Sequence, residues 1–379
     1  MLPRNDTGTN DTASTSNPRM PVPIALDYRP ALLSRAGIGR ATRELARALA
    51  EIEDLRVHLF GHSFARARVS VATPVSAQLH RLPIPGRLLP ALRRLGLGAE
   101  QLAGGAALVH WTDYIQPPTR SAQRVLTVHD LAFVRDPRWH GADAAALRER
   151  TRAAVGAATA LTAPTRATAA DLRDFAPEAP AARVIPWGAD HVPTARLPAA
   201  RGDGDYVLCV GTVEPRKNHL GLLAAWRQLP PPRPQLVVVG AAGWECAEIV
   251  RALAEAEREG LLTWRRSASD QELWSLMQHA RALVYPSLWE GFGFPPLEAM
   301  ALGLPVVTHD VAPLREVCED AARYADATDP AALADAIAVA VGDERARAGA
   351  VRAGLALAAR RTWRRCAEEH AALYREVLA

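Results

Sequence analysis

The chain has 379 residues, 49% apolar and 23% charged, with four cysteines and a net charge of +4. That length holds two domains that each bury a core, and a charge this mild excludes a dedicated nucleic-acid binder. No run of about 18 apolar residues is present to cross a membrane. Cys209, Cys246, Cys318 and Cys366 are too dispersed for a metal-binding spacing, and a reducing, cytoplasmic setting fits them.

Residues 1–20 are rich in Asn, Asp, Thr and Ser and lack an apolar h-region, so a disordered tail is expected there and not a secretory signal. Without secretion, the Asn-x-Thr triplets at Asn5 and Asn10 carry no weight. A first domain is predicted over 21–192. It opens with a strand at Ile24–Tyr28, the turn Ser34-Arg-Ala-Gly-Ile-Gly39, and a helix over Arg40–Glu51 with Leu45, Ala46 and Leu49 apolar. Strand, glycine turn and helix begin a doubly wound α/β domain, and at Gly37 and Gly39 backbone can approach a phosphate or a sugar. A plain tight turn is an equal alternative. A second strand follows at Arg56–Phe60. Residues 81–97 are basic and apolar, and from Leu88 they predict a short amphipathic helix with Arg87, Arg93 and Arg94 to one side. Such a helix turns its arginines to solvent or touches an anionic membrane surface.

A strand at Ala107–His110 leads into the loop Trp111–Pro118. The next apolar run ends at Val128, which leaves His129 and Asp130 at the carboxyl end of a strand, where open α/β sheets bind ligands. The plainer alternative is a histidine capped by its own aspartate. A helix at Leu147–Gly156, a strand at Ala160–Pro164 and a helix at Thr165–Asp174, capped by Thr165 or Thr168, precede the segment Arg183–Asp190 that closes the domain.

A linker is predicted over 193–205, holding Asp203-Gly-Asp205, and a second domain over 206–361. The strand Tyr206–Val210 runs into Gly211-Thr212-Val-Glu214-Pro-Arg216-Lys217-Asn218, then a helix at His219–Gln228. Lys217 is the only lysine in the chain and Asn218 the only asparagine after residue 17, so their adjacency invites a chemical reason. A compact ammonium beside a forked guanidinium suits a diphosphate, and Glu214 could orient both. The strand Gln235–Val239 ends at Gly240. A helix at Glu245–Glu259, a strand at Leu261–Arg266, the loop Ser267–Asp270 and a helix at Gln271–His279 follow.

The stretch Val284–Val307 reads as strand, glycine loop, helix and strand. The helix is predicted over Leu297–Leu302 behind Pro295-Pro296, with Gly303 as its C′ residue. Its N-terminus opens behind Gly291, Phe292 and Gly293 as an anion site. Glu290 precedes the helix and Glu298 is expected in its first turn, with seven residues between them. A carboxylate beside a phosphate is repelled, so both are expected to grip neutral hydroxyls. The segment Ala312–Cys318 and further helices lead to the C-terminus, the last over 362–379.

Glu290-Gly-Phe-Gly-Phe-Pro-Pro-Leu-Glu298 resembles the Glu-x7-Glu signature of retaining glycosyltransferases of family 4, and Gly211–Asn218 is similar to that family's Gly-Thr-x-Glu-Pro-Arg-Lys-Asn motif. The resemblance implies the GT-B fold: two Rossmann-like parallel-sheet domains facing a cleft, with a C-terminal helix crossing back to the first. It implies that Gly37 and Gly39 form a glycine loop facing the donor, that His129 contacts the donor sugar, and that Asp130 holds the loop or meets the acceptor. It places Gly211, Thr212, Arg216, Lys217 and Gly240 at the donor, the latter two cations of the motif on its diphosphate, the nucleotide base near Ser267 and Ala268, the sugar at Glu290, Gly291, Phe292 and Gly293 with Leu297 close by, and the ribose at Glu298. Trp187 stands where the family has asparagine, and Arg266 where it has glycine.

The implied reaction moves a hexosyl group from a nucleotide sugar to a hydroxyl of a glycan or lipid-linked glycan with retention. It most resembles the bacterial mannosyltransferases of surface-polysaccharide assembly, which makes GDP-mannose the expected donor, ahead of a UDP-sugar. No cofactor or metal is expected. Asp203 and Asp205 form an Asp-x-Asp pair like the metal site of the other large glycosyltransferase fold, but they precede a strand instead of following one. The expected location is cytoplasmic, or peripheral at the inner face of the cell membrane where 81–97 touches it. An epimerase or phosphorylase of the same fold, or a non-catalytic partner subunit, are the alternatives.

Overall fold

The computed structural model describes residues 20–35, 37–62, 73–82, 88–116, 118–199 and 204–379. Residues 1–19, Arg87, the Arg93 side chain and Asp203 lie outside that description. Short runs of buried aliphatic residues, too apolar on both faces to sit at a surface, build two wholly parallel sheets. The first joins β1 (Val22–Asp27), β2 (Leu55–His62), β3 (Gln78–Leu82), β4 (Leu108–Trp111), β5 (Gln123–Thr127), β6 (Ala160–Ala163) and β7 (Arg183–Val184). Their order across the sheet is β3-β2-β1-β4-β5-β6-β7. The second joins β8 (Tyr206–Val210), β9 (Gln235–Val239), β10 (Leu262–Arg265), β11 (Ala282–Tyr285), β12 (Val306–His309) and β13 (Ala322–Ala325), ordered β10-β9-β8-β11-β12-β13. Each sheet reverses its winding beside its first strand, between β1 and β4 and between β8 and β11. The loops leaving those strands form a crevice at each switch point.

The central strands and most helices fall within two residues of the sequence reading. The edge strands β3, β7 and β13 were not predicted, because each is short and only half-buried and so lacks an apolar run. The short helix after Leu88 is present as Leu89–Arg94, with Leu88 and Leu95 exposed beside it. The helix in the motif region spans Phe294–Ala301 and not Leu297–Leu302. Proline tolerates its first turn, so Pro295 and Pro296 sit inside the helix, and Glu298 lies a turn deeper than expected.

The helix Trp363–Leu378 crosses from the second domain and packs on the helix Ile38–Leu49 of the first. Its side chains complete one apolar core continuous between the domains, in which Trp187, Trp363 and Tyr374 are all buried. Several polar groups inside that core are paired. The Tyr374 hydroxyl lies 2.6 Å from His110 Nδ1, and His110 Nε2 lies 2.8 Å from Thr127 Oγ1. His370 donates from Nδ1 to the Cys366 carbonyl at 2.8 Å and stacks on both His110 and Trp187.

The two domains also meet along the cleft. The Gly291 carbonyl accepts from Thr165 Oγ1 at 2.9 Å and from Thr168 Oγ1 at 3.2 Å. The Glu316 carboxylate accepts from the backbone N–H groups of Arg166 and Ala167, capping a helix of the opposite domain. Gly291 itself presses on the first domain so closely that a Cβ there would stand 1.8 Å from the His129 carbonyl oxygen.

Two outcomes follow from this packing. Burial lowers the His370 pKa to about 4, so the folded protein binds fewer protons than the unfolded chain between that value and about 6.5. Stability is therefore present above pH 6.5 and is lost as pH falls toward 4, by on the order of 2–3 kcal/mol from this group alone. In thermal melts from pH 7.5 to 4.5, His370→Gln should lose less stability than wild type, since the other groups that titrate there, His62, His219 and Asp27 among them, are common to both; identical pH dependence of the two would contradict the reading. Gly291→Ala should force the seam apart, at a cost of about 1–3 kcal/mol. A lower Tm together with a larger radius of gyration in X-ray scattering is the expected result.

Candidate active site

The two motifs meet at the second switch point. Gly211–Asn218 leaves β8 and Pro286–Gly293 leaves β11, and these are adjacent strands of the sheet. A tight backbone bond from Leu288 N–H to the Arg216 carbonyl, 2.9 Å, locks the loops together. Asn218 explains its own singularity. It adopts the left-handed conformation (φ 55°), accepts from the Gly221 N–H to cap the helix His219–Gln228, and donates to the Ala327 carbonyl at 2.7 Å. Its role is structural: it sets where Lys217 emerges.

Glu290 is the centre of the cluster. Its Oε1 lies 2.5 Å from Lys217 Nζ, 2.5 Å from the Ser287 hydroxyl and 2.9 Å from the Tyr285 hydroxyl. Its Oε2 lies 3.0 Å from Arg216 NH1. Lys217 also donates to the Tyr285 hydroxyl at 2.8 Å, while Arg216 bonds Glu214 at 2.7 Å and the Trp289 carbonyl at 2.6 Å. Burial would raise the Glu290 pKa, but Arg216 and Lys217 outweigh it and hold the carboxyl at about 2. Burial pushes the Lys217 ammonium below its usual value against the pull of Glu290. Arg216 is shifted upward, because Glu290, Asp130 and Glu214 together overcome its desolvation. The sequence reading expected Glu290 to face neutral hydroxyls; the structure also sets both cations against it. The structure brings Glu290, Arg216, Lys217 and Glu214 into one network, and Tyr285 and Ser287, which the sequence reading passed over, complete it.

Glu298 forms a second centre on the other side of the Phe294–Ala301 helix start. Its Oε1 receives His191 Nε2 at 2.8 Å and lies 3.2 Å from Arg40 NH1. Burial is again outweighed, by Arg40 first and His191 second, and the Glu298 pKa is lowered. Neither partner was predicted from the sequence: Arg40 lies in the opposite domain and His191 in the connection between the sheets, after β7 and before β8.

Across the cleft, Gly37 caps the Ile38–Leu49 helix at φ 50°, with open space where a side chain would stand, and Gly39 is buried in the first turn. Only a residue free to take a left-handed backbone fits at 37. His129 donates from Nε2 to the Thr112 carbonyl at 3.0 Å, which leaves Nδ1 as the acceptor of the ring. It stacks on Trp187, 5.9 Å between centroids, and burial lowers its pKa. Trp187 therefore has a packing role that the sequence left open. Asp130 accepts from the Ala132 N–H at 3.0 Å, and its carbonyl accepts from the Tyr114 hydroxyl at 3.0 Å, so it shapes the loop. It does not cap His129.

The remaining predicted positions line the second domain's loops. Gly211 and Gly240 bond backbone to backbone at the ends of β8 and β9 with Val239 and Arg265, Thr212 is half-buried beside them, and Trp264 Nε1 donates to the Gly240 carbonyl. Ser267 is exposed and Ala268 half-buried at the start of the helix Asp270–His279. Arg266 lies over the Trp264 ring at 4.2 Å. Phe292 and Phe294 pack edge to face, Gly293 caps the helix at φ 102°, and Leu297 is fully buried in the shared core. Of the Asp-x-Asp pair, Asp205 lies on the surface with Arg281, 2.7 Å away. Among the described residues, no three His, Cys, Asp or Glu side chains cluster as metal ligands would, and no helix is long and apolar enough to cross a membrane.

Comparisons with known proteins place this geometry. Residues 35–192 match the model of "Glycosyltransferase Family 4", and residues 196–355 that of "Glycosyl transferases group 1". The chain is 33% identical over 363 residues to the O-antigen chain mannosyltransferase B of Escherichia coli, covering 87% of this chain and 93% of that protein. It is 32% identical over 133 residues to the O-antigen chain mannosyltransferase RfbU of Salmonella typhimurium, covering 35% and 37% of the two chains. Among solved structures it is similar to a sucrose-phosphate synthase of Thermosynechococcus elongatus, with a TM-score of 0.76, 23% identity and coverage of 94% and 99%. It is also similar to Anabaena HepE in complex with UDP and glucose, with a TM-score of 0.71, 18% identity and coverage of 93% and 99%. With its two facing parallel-sheet domains, its crossing C-terminal helix and the two family models matched in succession along it, the chain belongs to glycosyltransferase family 4 and has the GT-B fold.

Proposed function

We propose that this glycosyltransferase moves a mannosyl group from GDP-mannose to a sugar hydroxyl of a growing surface polysaccharide, with retention of anomeric configuration and without a catalytic metal. The observation that carries the reading is the convergence of Arg216 and Lys217 beside Glu290, at the mouth of two strand ends. The name of the relative that matches most of the chain, and that of a second matched over 133 residues, support mannose and a surface glycan.

In the reaction the bond between the sugar's anomeric carbon and the β-phosphate oxygen breaks. A bond from that carbon to the acceptor oxygen forms on the same face, and the acceptor's proton passes to the departing phosphate. Negative charge grows on the diphosphate as the transition state is reached, so cations fixed beside it lower the barrier more than they tighten the ground state. Arg216 and Lys217 supply that charge. Glu290 is a poor base or nucleophile, because four hydrogen-bonding partners already occupy its two oxygens and its pKa is about 2. Its role is to hold the cations and, through Oε2, which carries Arg216 alone, to accept from a sugar hydroxyl. His129, with Nδ1 free to accept, is suited to a hydroxyl of the same sugar, and Glu298 to the ribose. The phosphorylase alternative needs a lysine free to form an imine, and the chain's one lysine is bound to Glu290 and Tyr285.

Purified protein melted with GDP, UDP, ADP or dTDP, each with EDTA, tests the donor: a nucleotide at about 100 times its Kd stabilises by about 2.7 kcal/mol. GDP should give the largest shift, and a shift confined to UDP would replace GDP-mannose as donor. Lys217→Ala, which leaves Arg216 on Glu290, should lower Tm but still fold, and lower kcat by roughly 10²–10³-fold, as loss of one oxyanion donor does. A variant with full turnover would sink the assignment of Lys217.

A further inference from the structure

The one buried cation that reaches the second domain's site from the first domain is, among the described residues, Arg40. It sits in the first turn of the helix Ile38–Leu49, three residues past Gly37, and is 6% exposed. A cation at a helix N-terminus meets the positive end of the helix dipole, and a buried guanidinium needs partners close by. Nothing on its own helix offers them at short range. The partners are across the cleft: NH2 lies 2.6 Å from Asp270 Oδ1, NH1 lies 3.2 Å from Glu298 Oε1, and the guanidinium stands 5.6 Å from the centre of the Trp274 ring. Asp270 opens the helix that follows Ser267 and Ala268. Glu298 is steadied from a third direction. Trp363 Nε1 donates to His191 Nδ1 at 3.0 Å, which leaves the ring proton on Nε2, and Nε2 donates to Glu298. The C-terminal helix, the interdomain connection and the first domain therefore all converge on one carboxylate.

We propose that Arg40 is a positioning residue for the nucleoside half of the donor: it spans the cleft, fixes Glu298 and Asp270 at once, and so couples nucleoside affinity to closure of the two domains. The inference rests on Glu298 as the ribose carboxylate. Arg40 touches neither the diphosphate cations nor Glu290, so its effect separates from theirs. With Arg40 in place, Glu298 is oriented and its charge balanced before a ribose arrives, which lowers the ordering cost of binding. Without it the carboxylate keeps only His191, and the helix beginning at Asp270 loses its tie to the first domain.

The test is titration of GDP and of inorganic pyrophosphate into wild-type protein, Arg40→Gln, Arg40→Lys and Asp270→Asn, with steady-state kinetics alongside. The Kd of GDP and the KM of the donor should rise about 10- to 30-fold in Arg40→Gln, while kcat at saturating donor changes less than about threefold and pyrophosphate affinity stays within about twofold. Arg40→Lys, able to reach one carboxylate, should recover part of the loss. Asp270→Asn should reproduce part of it, and the two substitutions combined should cost less than the product of their separate effects. A folded Arg40→Gln with GDP affinity within twofold of wild type overturns the inference, and so does an equal loss for pyrophosphate, which would mark a general structural defect. If Arg40→Gln fails to fold, Asp270→Asn decides by the same two readouts. If wild-type protein binds no GDP while Lys217→Ala retains turnover, the reading of the whole donor site falls, and this inference falls with it.

Discussion

A carboxylate as deeply buried as Glu290 is tolerable only when its charge is met, and the need to meet it organises the second domain. Removing such a group from water costs several kcal/mol even after relaxation. The compensation comes from Arg216 and Lys217, some seventy residues earlier in the chain. Their loop and the Glu290 loop therefore have to leave neighbouring strands at the same end of the sheet. The parallel order β8 next to β11 provides that, and the bond between Leu288 and the Arg216 carbonyl holds the loops at the required spacing. The network sets two carboxylates (Glu214 and Glu290) against two cations. In the proposed reaction a diphosphate would meet both cations already in place as charge develops on the leaving group.

The same economy recurs at the seam between the domains. Gly291 is both part of the site loop and the point of closest approach to the first domain, its carbonyl held by Thr165 and Thr168 and its α-carbon against the His129 backbone. His129 is in turn stacked on Trp187, and Trp187 on His370 of the crossing C-terminal helix. The side chain expected at the sugar thus rests on an aromatic column that ends in the helix tying the domains together. Tryptophan at 187 is a large apolar surface that serves this column, which accounts for its presence where the family pattern has an amide.

Glu298 shows how a site can be shared between domains. Its helix belongs to the second domain, Arg40 to the first, and His191 to the connection, with Trp363 setting the histidine's tautomer. The carboxylate is oriented only when these three elements are docked. A donor that bonds it therefore meets a group prepared by closure instead of one that must be ordered on arrival.

Much of this was legible in the linear sequence. The two glycine-rich motifs, the pairing of Glu290 with Glu298, and the Arg216-Lys217 cation pair are local patterns, because glycine, proline and charge spacing dictate how a strand-to-helix turn presents its backbone and side chains. The buried strands were legible because parallel strands need apolar residues on both faces. The edge strands were not, since half-buried strands have no such run, and neither was the true start of the Phe294–Ala301 helix, where proline fits the first turn without marking its end. What only the tertiary structure decided was partnership. Nothing local tells that Lys217 and Arg216 bind Glu290, or that Arg40 and His191 reach Glu298. Those contacts join residues 73 to 258 positions apart, and such distances close only when the two sheets and the crossing helix have packed.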